Sequence, residues 1–383
     1  MNSNPEWKVT VADASVGAEE IAVVGDVLAS RWLSLGRQTR AFETEFAAAL
    51  GADDAVAVSN GTAALHLAVL ALGVGPGDEV ITPSLNFVAS AEVTALHGAR
   101  PVFADVRSEN DLTVDPRDVE RLITDRTKAV VAMHYGGYAA DLEALRAITR
   151  ARGIALIEDA AHAPVVPTGL GTAGTVGDIG CFSFFATKNI ACGEGGMVVA
   201  RDPDLLARIR AMRSHCLTTD TTERMRTGGA SYDVPAVGLN YRPTEISSAM
   251  GRVQLGKLDQ DRARRRAVMA VYRKRVPLPL PFDGRPDDGA LHLAVALLPE
   301  TVDRELLRAD LNARGVQTSV HYPPSHQFSY YRDRHGSTSR ALPVTEDIAP
   351  RLLTLPLHAR MSDDDADFVA DAVTAGLRRA GRG

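Results

Sequence analysis

Cysteine is scarce: Cys181, Cys192 and Cys216 are the only three in 383 residues. They form no metal-ligand pairing and no even disulfide framework, so reduced, buried thiols in a cytoplasmic protein are expected. Long apolar runs are missing too. Stretches such as "AALHLAVLAL" (63–72) fall far short of the roughly 20 residues that a spanning helix needs. No surplus of positive charge exists. The 42 Lys and Arg are outnumbered by 48 Asp and Glu, a formal net charge of −6, so there is no electrostatic case for nucleic acid or an anionic membrane. The opening "MNSNPEWKVTVADASVG" has one lysine with no apolar run behind it, and a signal peptide is not expected. Internal repeats and low-complexity segments are absent as well. What is present is 45% apolar and 23% charged, the profile of a globular chain with a real core. The length suits two or three domains.

From about residue 55 to residue 215, short β-like apolar runs alternate with helical patterns. "DAVAVS" gives way to "TAALHLAVLALG", which puts Leu65, Val69 and Leu72 on one helical face. "DEVITP", "PVFADV", "KAVVAMH", "IALIED", "IGCFSFF" and "GGMVVA" read as further strands. Between two of them, "DLEALRAITRARG" carries Leu142, Leu145 and Ile148 along one stripe. Strands that are apolar throughout and separated by helices predict an α/β domain with a mostly parallel sheet covered on both faces. Its sites are expected at the carboxyl ends of the strands. Residues 217–235 read as a long loop, and the pattern beginning "TEISSAMGRVQL" as a long helix, with "PLPLPFDGRPDDG" as a break after it. The arginines of that helix (262, 264, 265, 266, 273 and 275) form the only basic run, read as a solvated face rather than an anion site. The predicted division is a large α/β domain over 1–255 and a small α+β domain over 256–383, entered by the long helix.

Three stretches suggest chemistry. In "AVSNGTAALHLA" a strand ends, Ser59-Asn60-Gly61-Thr62 turns, and a helix begins. Free N–H groups and the positive dipole end make an anion cradle there, although a plain Ser/Thr cap explains the same residues. It is not a Walker loop, which needs Gly-Lys-Ser/Thr. In "ALIEDAAHA", Glu158 and Asp159 end an otherwise apolar strand and His162 follows three residues later. They are either a crevice-facing carboxylate with its histidine or a helix cap with a core histidine. In "CFSFFATKNIACGEGG", Lys188 follows an aromatic run and precedes glycines that allow close backbone approach. A lysine snorkelling outward is the bland alternative. Desolvated, it loses basicity and becomes a nucleophile toward carbonyls. Together the stretches fit pyridoxal phosphate, which needs an anion cradle, a lysine to form an imine and a carboxylate for its pyridine nitrogen.

The chain resembles the DegT/DnrJ/EryC1/StrS family of pyridoxal-phosphate aminotransferases over nearly its whole length. Besides those stretches, "WLSLGRQTRAFETEFAAALG", "PSLNFVASAEV", "GLNYRPTEISSAMGRVQL", "HYPPSHQ" and "LPLHARMSDDDADFV" carry the resemblance. It implies a fold type I, aspartate-aminotransferase-like architecture. It also implies that Lys188 forms the Schiff base, Asp159 partners the pyridine nitrogen, and His162 lies near the ring's 3-oxygen. Phe87 would stack on the ring, and Gly61, Thr62, Ala63 and Ser183 would hold the phosphate. Asn240 would reach the phosphate of a neighbouring subunit, hence a homodimer with a shared active site. His321 and Tyr322 would lie near substrate. Asn86 departs from the threonine frequent at its position.

A few relatives carry histidine in place of the lysine and dehydrate their sugar, so Lys188 favours transamination. The implied reaction moves an amino group from L-glutamate to a keto-sugar in amino-sugar biosynthesis. Nucleotide-linked 3- or 4-keto-6-deoxy sugars (dTDP, UDP or GDP) are the leading acceptors, with a keto-cyclitol of an aminoglycoside-type pathway as the alternative. A non-catalytic regulator predicts loss of lysine, carboxylate or cradle, and all three are present. A Rossmann dehydrogenase fails because "SNGTAA" is not G-x-G-x-x-G. No metal site is expected.

Overall fold

The computed structural model describes residues 7–219, 231–285, 289–334 and 340–380. Residues 220–230 of the expected loop, 286–288 of the expected break, and 1–6 of the N-terminal stretch lie outside the described residues.

Seven strands form the central sheet: β1 (Val56–Val58), β2 (Glu79–Pro83), β3 (Arg100–Ala104), β4 (Thr127–Met133), β5 (Ala155–Asp159), β6 (Ile179–Ser183) and β7 (Gly196–Ala200). Their order is β1-β7-β6-β5-β4-β2-β3. Alternation along each strand sends successive side chains to opposite faces. Val56, Val80, Val131, Ile157, Cys181 and Val198 enter one core, while Ile81, Val130 and Leu156 enter a second on the other face. A third core, with Ala57, Phe182 and Met197, also lies opposite the first. Burial on both faces is why these strands are apolar throughout. The helix Gly61–Ala71 (α1) presents Leu65 and Val69 to the first core, with Leu72 partly buried against it. The helix Leu142–Arg152 (α2) buries Leu142 and Leu145 in the second.

The sheet is parallel from β3 through β2, β4 and β5 to β6. "GGMVVA", strand β7, runs antiparallel to both of its neighbours. A parallel return needs a crossover, usually a helix. The connection from β6 to β7, residues 184–195, contains none, so the chain turns back instead. Lys188 sits in that connection.

The long helix is one element, Glu245–Arg275 (α3), capped by Thr244 Oγ1, which accepts from Ser247 N–H, and unbroken across residue 255. Beyond it, Ala294–Leu297 (β8) and Leu352–Leu355 (β9) pair antiparallel, and helices Arg304–Ala313 (α4) and Asp363–Ala380 (α5) accompany them. Their core includes Val295, Leu307, Leu311, Leu353, Val369 and Val373, and also Val9. Residues 8–11, counted with the large domain in the sequence reading, are tied here: Lys8 and Val9 N–H donate to Gly315 O, and Leu357 N–H donates to Val11 O.

The basic run of α3 is not a solvated face. Arg265 is buried and donates to Leu357 O at 2.8 Å and Leu291 O at 3.4 Å. Arg262 donates to Pro164 O and Val165 O, each at 3.0 Å. Arg264 reaches Met361 O and Asp363, and Arg275 pairs with Asp371 at 2.7 Å. A guanidinium offers five donors in a planar fork, which suits carbonyls at the ends of packed segments. The arginines therefore strap α3 to its neighbours.

All three cysteines are free and buried. No helix among the described residues is long and apolar enough to cross a membrane.

Candidate active site

The carboxyl ends of β2, β4, β5 and β6 open onto one crevice, the place where open α/β sheets bind ligands. Segment 184–195 folds over its floor. Phe184 N–H donates to Gly195 O, Cys192 N–H to Phe184 O, and Lys188 N–H to Phe185 O, at 2.8, 3.0 and 2.8 Å. These bonds hold Lys188 half-buried over the end of β6. Burial brings its pKa from the usual lysine range down to about 8, against the pull of Asp159. A useful share of the amine is then unprotonated near neutral pH.

Glu158 and Asp159 end the same strand and part company. Glu158 is fully buried and saturated. It accepts from Gly174, Val176 and Gly177 N–H at 2.7, 2.8 and 2.6 Å and contacts His134 Nε2 at 2.9 Å. It is part of the scaffold. Asp159 accepts a 3.2 Å bond from Ala161 N–H and a hydrogen bond from the Asn86 side chain. Burial raises its pKa, with Ala161 N–H, Lys188, His134 and Asn86 pulling the other way. An ionised carboxylate in that position calls for a cationic partner.

The turn into α1 is a cradle. Asn60 Oδ1 caps the helix by accepting from Ala63 N–H at 2.8 Å, so the expected Ala63 donor is already engaged. Gly61 and Thr62 N–H make no hydrogen bond among the described residues. A Cβ on Gly61 would stand 2.8 Å from Ser183 Cβ, so glycine is what lets α1 and the end of β6 close around an anion.

His162 is buried, and its Nε2 lies 2.9 Å from Tyr322 Oη. Burial, then the nearby Lys188, His321 and His134, push its pKa well below the usual histidine range, so the imidazole is neutral. His321 is also held neutral, its pKa brought down to about 4 by burial and Lys188, with Nδ1 2.9 Å from Thr354 Oγ1. Phe87 is 55% exposed at the mouth, its ring centre 6.0 Å from that of Tyr322. Asn240 stands apart. It is exposed and its side chain makes no hydrogen bond among the described residues, though Tyr241 beside it accepts from Ser59 N–H through its carbonyl.

Several residues at the site carry no local sequence signal. His292 packs on His162 with ring centres 4.2 Å apart and contacts Asn189 Oδ1 through Nδ1 at 2.9 Å. Tyr135 Oη donates to His321 O. Ser84 Oγ contacts His326 Nδ1 at 2.6 Å, joining the Phe87 segment to the His321 segment. Only pairing across more than a hundred residues reveals these contacts. "HYPPSHQ" and the lysine's neighbour Asn189 were the available hints.

Pyridoxal phosphate fits what is here. Among the described residues, His162 Nδ1 and Asn86 Oδ1 are buried with no partner, Asp159 makes no ion pair, and the Gly61 cradle has free donors beside two hydroxyls. An aromatic heterocycle with a phosphate arm, a basic ring nitrogen and polar ring substituents meets each demand.

The family model for the DegT/DnrJ/EryC1/StrS aminotransferase family matches residues 14–374. The spore coat polysaccharide biosynthesis protein SpsC of Bacillus subtilis (strain 168) is 40% identical over 369 residues, 94% of each chain. Among solved structures, the aminotransferase TlmJ from Streptoalloteichus hindustanus superposes with a TM-score of 0.89 at 36% identity, covering 97% of this chain and 99% of that one. DesI, solved in the presence of its TDP-sugar product, gives a TM-score of 0.86 at 32% identity over 99% and 95%. The fold implied by the resemblance is therefore the observed one. Matched from near its first helix to its last, the chain belongs to the DegT/DnrJ/EryC1/StrS aminotransferase family and is a pyridoxal-phosphate-dependent aminotransferase.

Proposed function

We propose that this chain transfers an amino group from L-glutamate to a keto-sugar carried on a nucleoside diphosphate, and that it does so as a homodimer in the cytoplasm. The observation that carries the transfer chemistry is Lys188, an amine with its pKa at about 8, facing a buried carboxylate in the crevice. The nucleotide linkage is supported by the TDP-sugar product of the 32%-identical DesI. Support for the dimer comes from exposed apolar side chains, Trp32, Leu33, Phe185 and Val237 among them, and from an exposed Asn240 whose side chain makes no hydrogen bond among the described residues. Three free thiols suit a reducing compartment.

In this reading Gly61 and Thr62 N–H, with the Thr62 and Ser183 hydroxyls, would hold the phosphate at a helix N-terminus. Asp159 would pair with the pyridine nitrogen and favour its protonated form. Phe87 covers the mouth and limits water. Pyridoxal phosphate, when bound, supplies an electron sink for the Cα–H bond pair. Lys188 Nζ removes the proton at the Cα of the donor in one half of the reaction and delivers one to the former carbonyl carbon of the acceptor in the other. His321 and Tyr322 line the side on which the acceptor enters.

Purified protein mixed with L-glutamate should change the cofactor's visible absorption to that of the pyridoxamine form, and Lys188→Ala should not. An unchanged spectrum with cofactor demonstrably bound would refute the transfer. Keto-sugars supplied with and without a nucleoside diphosphate then test the linkage: equal turnover of both forms removes it from the proposal.

A further inference from the structure

His162 and Tyr322 come together from points 160 residues apart, with Tyr322 Oη 2.9 Å from His162 Nε2. His162 Nδ1 is buried and has no partner among the described residues. Two proton arrangements suit the contact. If Nε2–H donates to the phenol oxygen, the phenol O–H finds no acceptor among the described residues, and Nδ1 is a lone pair with no donor. If the phenol donates to Nε2, a single group remains unused: an N–H at Nδ1. Unmade hydrogen bonds of buried groups are costly, so the second arrangement prevails. Burial, with Asp159, raises the phenol pKa and keeps its proton in place, while the imidazole stays neutral.

The neighbouring ring does not disturb this. Asn189 Nδ2 donates to Ala290 O at 2.7 Å, which turns Asn189 Oδ1 toward His292 Nδ1 at 2.9 Å. A carbonyl oxygen only accepts, so His292 carries its own proton on Nδ1, and burial keeps this ring neutral too. His292 packs on His162 as a plane of fixed tautomer, 4.2 Å between ring centres.

We propose that Tyr322 is a positioning residue that sets the tautomer of His162: by donating to Nε2 it places the imidazole proton on Nδ1, a fixed N–H donor for an anionic ring oxygen of the bound cofactor. The proposal rests on the cofactor reading above and deepens it. It gives Tyr322 a task besides lining the substrate side, and explains why a histidine there works where a side-chain amide would need no such partner. An amide always offers an N–H. An imidazole offers one at the right nitrogen only if something holds the proton there.

The test compares Tyr322→Phe in two backgrounds, unaltered and His162→Gln, all as holoenzymes. In the unaltered background, loss of the phenol should weaken pyridoxal-phosphate binding by about tenfold, the order expected for a charge-assisted hydrogen bond, and shift the pH midpoint of the visible chromophore. In the His162→Gln background the same change should alter both by less than twofold. Equal effects in both backgrounds overturn the proposal. So does an unchanged affinity and chromophore with only a raised KM for the acceptor, which would make Tyr322 a substrate contact. Histidine ¹⁵N spectra of the unaltered holoenzyme give a second readout that needs no variant to fold. A protonated Nδ1 at His162 is expected, and a protonated Nε2 sinks the idea. Absence of any chromophore in the unaltered protein would instead remove the cofactor reading, and this proposal with it.

Discussion

Two regions meet at the end of β5, and each holds a buried carboxylate. On one side Glu158 binds three backbone N–H groups and His134. On the other, Asp159 has one long backbone bond and a bond from the Asn86 side chain, and His162, three residues on, leaves Nδ1 with no partner among the described residues. Strand alternation assigns the two adjacent carboxylates to opposite faces. The difference lies in what has been left over. Where every lone pair is used, the charge braces a loop. Where donors and acceptors stay open in a buried crevice, the fold bears a cost that a ligand relieves. Unmet bonding capacity, rather than burial of charge, separates the active face from the scaffold.

The contrast breaks most visibly at the lysine. Lys188→Ala should lower amino transfer by about 10³-fold, within the range for loss of a positioned acid-base group, and leave the urea midpoint nearly unchanged. Steady-state rates and a denaturation curve on one preparation check both halves. The scaffold side should respond in reverse. Glu158→Ala strands three N–H groups and His134, and should cost about 3 kcal/mol or more in urea unfolding, with activity per folded molecule largely kept. A variant that stays stable but inactive would mean that Glu158 belongs to the active face.

Asp159→Asn should reduce amino transfer by about 10²-fold, as expected for a lost electrostatic partner, yet make the cofactor-free protein no less stable at neutral pH. The sign follows from burial. The folded pKa of Asp159 lies above its unfolded value, so the native state binds the extra proton. Its contribution to stability is favourable at low pH and is lost as pH rises from the unfolded pKa through the folded one. The variant's advantage should therefore appear near pH 7 and shrink toward pH 4. An advantage that grows on acidification would contradict this. The smallest effect is expected at the cradle. Thr62→Val removes one hydroxyl and keeps the helix N–H groups, and should weaken cofactor binding by about 1 kcal/mol, roughly fivefold in a titration.

Much of the site was legible because its parts are local. Gly61 and Thr62 open a helix, Asp159 closes a strand, and Lys188 follows one, so each is marked by a change of pattern within a few residues. Their neighbours were not. His292 joins Asn189 across 103 residues and Tyr135 joins His321 across 186, and no periodicity encodes such a meeting. The arginines of α3 were misread for a related reason. A charge run shows how many cations a helix bears, but not which carbonyls will face them. Nor does local pattern show that Asn60 takes the N–H of Ala63, a residue expected at the phosphate.

By itself, then, the amino-acid order determined the strands, their mostly parallel arrangement and the strand ends at which chemistry is possible, because apolar periodicity and turn residues act over short stretches of chain. Only the tertiary structure decided that β7 runs backward, that Glu158 is spent on a loop while Asp159 is not, and which nitrogen of His162 is left open. Those outcomes depend on which polar groups find partners once distant segments pack. Hydrogen bonds form between neighbours in space, and sequence distance does not constrain them.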